Sequence, residues 1–205
     1  MKTMRKAILI ATLALISLVA SAQNAAEARK VLDKTASVVG RKGGASASFK
    51  VSSAKVGDVS GSIAIKGSMF HARTPQAIVW YNGKTQWSYM KSTNEVNIST
   101  PTEAQKMKMN PYTFLTMYKS GYTLGMTRQG TSYNVHMVAQ NKTRSVQEVY
   151  LTINATTYIP TTVKMREGQT WTTIAITNFK AQNQPTSTFT FKAKDFPSAE
   201  VIDLR

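Results

Sequence analysis

The sequence has no cysteine, two histidines and only ten acidic residues among its 205 residues. The absence of cysteine excludes disulfide scaffolds, thiolate metal sites, cysteine nucleophiles and a lipid-modified N-terminal cysteine. His71 and His136 stand in none of the spacings that bind zinc, and Glu95 and Glu103 do not form a glycosidase pair. We therefore predict a protein that is not an enzyme and that needs no metal ion or cofactor.

Long hydrophobic runs are also scarce, because the sequence has one and it stands at the N-terminus. Three basic residues precede the apolar run 7–20, and the chain then reaches a small-x-small pattern that ends at Ala22. A transmembrane helix needs about 20 apolar residues, whereas a secretory signal peptide has this shorter pattern. We therefore predict a signal peptide at 1–22, cleaved after Ala22, and one exported domain at 23–205.

The shortage of acidic residues leaves a large positive charge. The chain has 26 Lys and Arg against 10 Asp and Glu, which gives a formal net charge of +16. Because the basic residues are dispersed and the chain is exported, we predict no nucleic-acid partner. Two interpretations of the charge stay open: a solvated surface, or a surface that attracts anionic lipid headgroups or an acidic partner.

Two hydrophobic periods divide the exported part. Within 25–39 apolar residues recur every three or four positions, which predicts an amphipathic helix that ends at Gly40. Beyond Gly44 the period changes to two, which predicts half-buried antiparallel strands joined by tight turns such as Asn82-Gly83. The predicted strands are 45–52, 59–66, 69–73, 76–81, 85–90, 95–99, 133–139, 149–153, 161–165, 172–176 and 188–191.

Two short helices are predicted between these strands. Thr100 and Glu103 form a capping box with Pro101 at the first helical position, and Asn110 precedes a second helix that also starts with proline. A sheet of ten or eleven strands is too long to stay flat, so it should curl, with the three predicted helices over its open side. The predicted fold is mainly β (α+β): a curled antiparallel half-barrel with a lid of three helices, around either a cavity or a filled core.

Several segments, taken in order, resemble a known family. They are Phe49, the glycine-led strand 61–66, the pair Met69-Phe70, the Asn-Gly-Lys-x-x-Trp-x-Tyr hairpin at 82–89, the helix start at 110–115 and the last strands at 189–191 and 200–205. This series is similar to that of the LolA family of periplasmic lipoprotein carriers, over nearly all of the exported chain. The resemblance implies a half-open barrel whose helical lid encloses an apolar cavity for acyl chains.

The resemblance also implies a function and partners. The protein would be a periplasmic chaperone that binds the acyl chains of lipoproteins and carries them from the inner to the outer membrane. The implied partners are acylated lipoproteins, an inner-membrane lipoprotein-releasing ABC transporter and an outer-membrane acceptor that the sequence does not identify; we expect a monomer. An alternative with the same fold is a periplasmic sensor of lipids or lipoproteins in envelope stress, although such sensors usually carry an additional C-terminal domain.

Apolar side chains on the strands and central helices are the predicted lining of the cavity. Methionine suits such a lining, because its unbranched side chain can repack around disordered ligands. A filled core remains the alternative. The predicted lipid-binding residues are Phe49, Ile63, Ile65, Met69, Phe70, Trp87, Tyr89, Tyr112, Phe114, Leu115, Met117, Val149, Leu151 and Ile153, and the predicted lid residues are Val31 and Leu32.

One position departs from the family pattern. The family has Arg-Pro after the lysine of its second strand, whereas this chain has Gly67-Ser68 after Lys66. In the family, that arginine is held to close the lid by donating hydrogen bonds to helix carbonyls, which Gly67 has no side chain to do. We therefore predict a lid held mainly by apolar contacts, unless Arg73 or Lys66 takes the place of the missing arginine.

Overall fold

The computed structural model of the protein describes residues 23–55, 57–102, 105 and 116–205. Within these ranges the chain forms the α-helix α1 (residues 23–39) and twelve strands, and Gln105 is also helical. The helix predicted at 25–39 is confirmed, while the predicted signal peptide lies outside the described residues. The strands are β1 (Ala45–Ser53), β2 (Gly57–Lys66), β3 (Met69–Arg73), β4 (Ala77–Tyr81), β5 (Gln86–Met90), β6 (Glu95–Ser99), β7 (Tyr122–Gln129), β8 (Ser132–Ala139), β9 (Glu148–Asn154), β10 (Pro160–Glu167), β11 (Thr170–Lys180) and β12 (Glu200–Asp203).

All the described strands belong to one open sheet, in the order β12-β6-β5-β4-β3-β2-β1-β11-β10-β9-β8-β7. Strands β1 to β6 and β7 to β11 are two antiparallel meanders, joined where β1 pairs with β11. The described sheet has twelve strands instead of the predicted ten or eleven, and its last pairing is parallel, because β12 runs alongside β6 in the same direction. Parallel pairing requires a long crossover. The connection from β6 to β12 contains strands β7 to β11, and its last part, residues 181–199, which we call the C-terminal segment, leads from β11 to β12.

Two local predictions differ from the structure. The prediction missed β7, although Tyr122, Leu124 and Met126 alternate there with Thr and Gly. The strand predicted at 188–191 is wrong, because Thr186–Phe189 forms a 3-10 helix. In this helix the Thr188 N–H donates to the Pro185 carbonyl at 3.0 Å, so the backbone bonds locally and not to a neighbouring strand.

The lid of three helices is not confirmed, since among the described residues α1 is the one helix of several turns and Gln105 is a single further helical residue. The two predicted central helices fall on a stretch in which 103–104 and 106–115 lie outside the described residues. Directly after that stretch, Met117–Lys119 forms a 3-10 helix. The half-open, mainly β architecture with an N-terminal helix does agree with the sequence prediction.

Helix α1 crosses one half of the sheet, from edge strand β7 to β1. At its start, the Asn24 amide donates to the Met126 carbonyl at 2.8 Å and accepts from the Met126 N–H at 2.6 Å. Helix α1 is about 25 Å long at about 1.5 Å per residue. The five strand spacings from β7 to β1 span about 24 Å at about 4.8 Å each. The helix therefore ends close to where β1 begins, at Ala45.

The face of the sheet that meets α1, the inner face, carries the main core. Its helix side consists of Ala28, Val31, Leu32, Ala36 and Val39, all buried. The Tyr118 hydroxyl, next to the start of β7, donates to the Asp33 carboxylate at 2.5 Å and so ties α1 to the chain entering the sheet. The strand side of the core consists of Ala45, Ile65, Phe70, Tyr81, Tyr122, Leu124, Val135, Met137, Val149, Leu151, Ile153, Val163 and Met165.

The opposite, outer face has a second buried layer beneath the C-terminal segment. The Lys66 ammonium donates to the Gln184 carbonyl at 2.9 Å, and further along the Asn94 amide donates to the Ser198 carbonyl at 2.6 Å. Between these anchors the 3-10 helix Thr186–Phe189 packs against β3 and β4. Ile78, Trp80, Val96 and Phe189 are buried but lie outside the main core cluster. The molecule therefore has two apolar layers, one on each face of the sheet.

Candidate functional site

The inner face is buried to different depths in its two halves. Under α1, most of its apolar side chains on β7 to β10 are at most 7% exposed, and Met137, Val149 and Ile153 are completely buried. On β1, β2, β4 and the facing part of β11, the apolar side chains of the same face are mostly half-buried. We call this second set the apolar strip. Its members are Phe49, Val51, Val59, Ile63, Val79, Ile174 and Ile176.

Strand register makes the apolar strip continuous. Val51 stands opposite Val59 on one side and Ile174 on the other, and Phe49 stands opposite Ile176. Further along β2, Ile63 is followed across β3 and β4 by Ala72 and then Val79. Directly opposed side chains in antiparallel strands lie about 4.5–5.5 Å apart at Cβ, so these positions form one uninterrupted apolar surface.

A glycine lies under the aromatic ring of the strip. Gly61 is opposite Phe49 in the register of β1 and β2. A Cβ atom on Gly61 would lie 2.7 Å from Phe49 Cζ and 2.2 Å from the Arg73 carbonyl oxygen. Only glycine leaves room for both, so Phe49 lies flat over the β2 backbone and does not project away from the sheet. This arrangement keeps the surface of the strip shallow at that point.

Eight of the fourteen predicted lipid-binding residues belong to the inner face or pack against its core. Phe49 and Ile63 belong to the apolar strip, and Ile65 and Phe70 continue it into the buried core. Met117 is half-buried against that core. The group under α1 is fully buried and consists of Val149, Leu151 and Ile153, which face the predicted lid residues Val31 and Leu32 across the main core.

The structure does not bring Met69, Trp87 and Tyr89 together with these groups. In the register of β2 to β5, Phe70 pairs with Tyr81, which pairs with Gln86, so Gln86 shares the inner face with Phe70. Because successive side chains of a strand point to opposite faces, Met69, Trp87 and Tyr89 lie on the outer face. The last three predicted residues, Tyr112, Phe114 and Leu115, lie outside the described residues.

Sequence reasoning missed most of the apolar strip. Val51 and Val59 share the strand alternation of Phe49 and Ile63, so the period-two pattern alone contained them. Val79 follows from the register of the turn-linked hairpins. Ile174 and Ile176 do not, because the pairing of β1 with β11 joins segments more than a hundred residues apart and no local pattern predicts that register.

The two residues predicted as substitutes for the missing arginine also lie away from α1. Lys66 and Arg73 are on the outer face, and the Lys66 ammonium is bonded to the C-terminal segment. Gly67 lies in the turn between β2 and β3 with φ of 57°, and the space around it is open. Neither cation can therefore reach the carbonyls of α1 from where it stands.

The described part of the chain offers no other obvious centre of chemistry on this face. Its His, Asp and Glu residues nowhere gather into a group of three that could hold a metal ion. Among the helices that the structure describes, none has the combination of length and apolarity that a membrane span requires. The apolar strip is the candidate site on the inner face, and its side chains offer a ligand only apolar contacts.

Comparisons with known proteins identify a family and a similar fold. The sequence profile of a family described as outer membrane lipoprotein carrier protein LolA matches residues 18–169. A similar fold is found in the crystal structure of an uncharacterized conserved protein from Thermus thermophilus, with 14% identity, a TM-score of 0.59, and coverage of 86% of this chain and 99% of that one. No curated protein sequence matches the chain.

Two further structures are more distant. A LolA superfamily protein from Nitrosomonas europaea has 11% identity and a TM-score of 0.45, covering 80% of this chain and 97% of that one. The MucA/MucB complex of Pseudomonas aeruginosa has 12% identity and a TM-score of 0.46, covering 82% of this chain and 62% of that one. The profile match spans more than half of the sequence, and the chain therefore belongs to the LolA family of outer membrane lipoprotein carrier proteins.

Proposed function

We propose that this protein binds the acyl chains of lipoproteins on its apolar strip and carries them through the periplasm from the inner to the outer membrane. The observation that carries the proposal is the incomplete burial of seven contiguous apolar side chains beside a fully buried core. A contiguous apolar surface that is left incompletely buried is a feature of binding sites. Membership of the LolA family supports the choice of ligand.

The physical need for a carrier follows from the cost of hydrating acyl chains. Each CH₂ group transferred from an apolar environment into water costs about 0.8 kcal/mol, so several long chains cannot cross an aqueous space unshielded. The apolar strip offers them side chains without polar atoms, and no catalytic step is needed. Half-buried side chains that are not locked into a close-packed core can adjust to chains of different length.

The rest of the route remains part of the same proposal. The signal peptide at 1–22 would direct the chain to the periplasm, and Tyr112, Phe114 and Leu115 belong to the proposed set of lipid-binding residues. An inner-membrane lipoprotein-releasing ABC transporter would load the protein, and an outer-membrane acceptor would unload it. We expect it to act as a monomer.

A pair of neighbouring substitutions tests the acyl site. Ile63 and Ser62 are adjacent on β2 but lie on the inner and outer faces. Ile63→Glu places a carboxylate on the apolar strip and should weaken the binding of a fluorescent fatty acid by about tenfold or more, because the charge must be desolvated by the ligand. Ser62→Glu should leave binding unchanged. Titration by fluorescence and thermal melting are measured on the same preparations.

Folding and binding effects must be separated in this test. If Ile63→Glu unfolds the protein, the measurement is repeated with Val59→Asp. Val59 lies near the start of β2, at a less enclosed position of the strip. Equal affinity for the fatty acid in wild type, Ile63→Glu and Val59→Asp would contradict the proposed site. Equal loss in Ser62→Glu would contradict it as well, since that side chain is on the other face.

The envelope-stress sensor is a second proposal that uses the same apolar strip. Transfer experiments distinguish the two roles. A carrier loaded with an acylated lipoprotein should release it to outer-membrane vesicles, whereas a sensor should keep its ligand and bind a membrane-bound regulator when loaded.

A further inference from the structure

A pocket of about 540 Å³ lies on the outer face, between strands β3 to β5 and the C-terminal segment. Pockets for small molecules have volumes of about 300–1,000 Å³, so this one can hold a ligand of modest size. Its sheet side is built by register: His71 stands opposite Trp80, and Arg73 stands opposite Ile78, which in turn pairs with Tyr89. The apolar strip is on the opposite face of the sheet, so the two sites are separate.

The floor of the pocket is aromatic. The His71 ring is stacked on the Trp80 ring, with centroids 5.5 Å apart and planes 14° apart. From the C-terminal segment, Phe196 meets Trp80 edge-on at 5.5 Å and lies 4.7 Å from the Tyr89 ring. These rings hold one another in place and present a preformed apolar surface, which lowers the entropic cost of binding a ligand.

The rim of the pocket is basic. Arg73, Lys91 and Lys192 line it against a single carboxylate, that of Asp195. All four side chains are exposed, and none of the three cations takes part in an ion pair within the described residues. The hydroxyl groups of the lining add further hydrogen-bond donors, and they belong to Ser187, Thr188 and Thr190.

His71 lines this pocket with an uncharged ring. Burial, together with the nearby Arg73 charge, lowers the pKa of His71 to about 4, so its ring is uncharged at neutral pH. Its Nε2 atom is buried and has no hydrogen-bond partner in the described structure. A buried polar atom without a partner is costly unless something satisfies it, and His71 is a lining residue of the pocket.

We propose that this pocket binds an organic phosphate, with the phosphate group at the basic rim and the organic portion on the aromatic floor. Lysine, arginine and hydroxyl groups are the donors that phosphate oxygens accept in proteins. The aromatic floor selects against inorganic phosphate, because only a ligand with an apolar or planar portion uses the buried rings. The phosphate can come from an anionic lipid headgroup or from a soluble organic phosphate, and both present the same chemistry to the rim.

Phenyl phosphate is the probe that tests both parts of the pocket. It is titrated by calorimetry into the protein purified in detergent-free buffer, in parallel with inorganic phosphate and phenol. Arg73→Ala and Lys91→Ala should each weaken phenyl phosphate binding by about tenfold, since each removes a charged hydrogen-bond donor. The matched control is Lys164→Ala, which removes an exposed lysine near Trp171, also on the outer face but on β10.

The source of the phosphate is decided with the same variants. Dihexanoyl phosphatidylglycerol below its micelle concentration represents the lipid headgroup, and glycerol 3-phosphate represents a soluble phosphate. If phosphatidylglycerol binds more tightly and loses affinity in Lys91→Ala, the source is a lipid headgroup. If glycerol 3-phosphate binds as well as the lipid and loses affinity in the same variant, the source is a soluble phosphate.

Several results would overturn the proposal. Phenyl phosphate affinity that is unchanged in both Arg73→Ala and Lys91→Ala would show that the rim does not bind the phosphate. An equal loss in Lys164→Ala would show attraction by net charge alone, and equal affinity for inorganic phosphate would show that the aromatic floor has no part. Because Arg73 and Lys91 are exposed, all variants should keep the wild-type melting temperature.

Discussion

Strands β7 to β10 and strands β2 to β5 bury opposite faces of the same sheet. The first set buries its inner face under α1, where Val149 and Ile153 are completely buried. The second set buries much of its outer face under the C-terminal segment, where Phe189 is completely buried. The inner face of the second set is buried at Ile65, Phe70 and Tyr81, where it joins the main core, and half-buried along the apolar strip. Strands can thus be held in place through one face while the other remains available for a ligand.

The outer face of strands β7 to β10, opposite the face that α1 covers, carries polar groups that face solvent. Tyr150 is exposed there, and its ring stacks on His136 with centroids 4.2 Å apart. The Tyr150 hydroxyl donates to the Glu148 carboxylate at 2.8 Å and is the main cause of the lowered pKa of Glu148. Arg166 completes this polar surface through an ion pair with Glu148 at 3.1 Å. Solvent-facing polar groups of this kind show that no second layer is needed where α1 already covers the other face.

The largest expected effect comes from removing the centre of the outer layer. Phe189→Ala should lower the free energy of unfolding by about 3–5 kcal/mol, because it deletes a completely buried ring between the C-terminal segment and the sheet. Leu204→Ala, in the last residues of the same chain end, is 64% exposed and should change it by less than about 0.5 kcal/mol. Urea denaturation measures both. A loss below about 1 kcal/mol for Phe189→Ala would mean that the C-terminal segment does not stabilise strands β3 and β4.

The next effect compares the two halves of the inner face directly. Ile153→Ala, under α1, should cost about 2–5 kcal/mol of stability, as expected for a fully buried isoleucine. Ile63→Ala, on the apolar strip, should cost clearly less, because its side chain is already partly in contact with solvent. Equal losses of stability in the two variants, measured by urea denaturation, would indicate that the apolar strip is a filled core and not a binding surface.

The sequence predicted α1 and most strands because their signals are local. Alternation of apolar and polar residues identified β1 to β6, and the three- and four-residue spacing identified α1. The assignment of faces was not local. In β5, Trp87 and Tyr89 are the large apolar residues, so an interpretation with a single core puts their side chains on the inner face. In the structure they lie on the outer face, which has a buried layer of its own. Only the path of a segment about a hundred residues later, which brings Phe196 onto Tyr89, decides this.

Only part of the candidate site could be predicted from the sequence, again because only some of its signals are local. Phe49 and Ile63 followed from strand alternation, and their half-burial depends on how far α1 extends across the sheet. That extent is set by the helix length and by Asn24 at its first turn, and the sequence pattern of residues 25–39 gives the length alone. The pairing of β1 with β11, which places Ile174 and Ile176 on the strip, is a long-range contact that periodicity does not encode.

The smallest expected effect tests how α1 is fixed over the first set of strands. Asn24 forms two hydrogen bonds with the backbone of Met126, in the place where a neighbouring strand would bond to edge strand β7. Asn24→Ala should lower the free energy of unfolding by about 1–2 kcal/mol, since each net hydrogen bond contributes about 0.5–1.5 kcal/mol. Gln23→Ala, at the exposed neighbouring position, is the control and should have almost no effect. Amide hydrogen exchange gives the local readout, because the Met126 N–H should exchange faster in Asn24→Ala while the amides of β3 and β4 keep their wild-type rates. If the amides of β3 and β4 lose protection to the same degree, the two halves of the sheet unfold as one unit and the independence of the two layers is wrong.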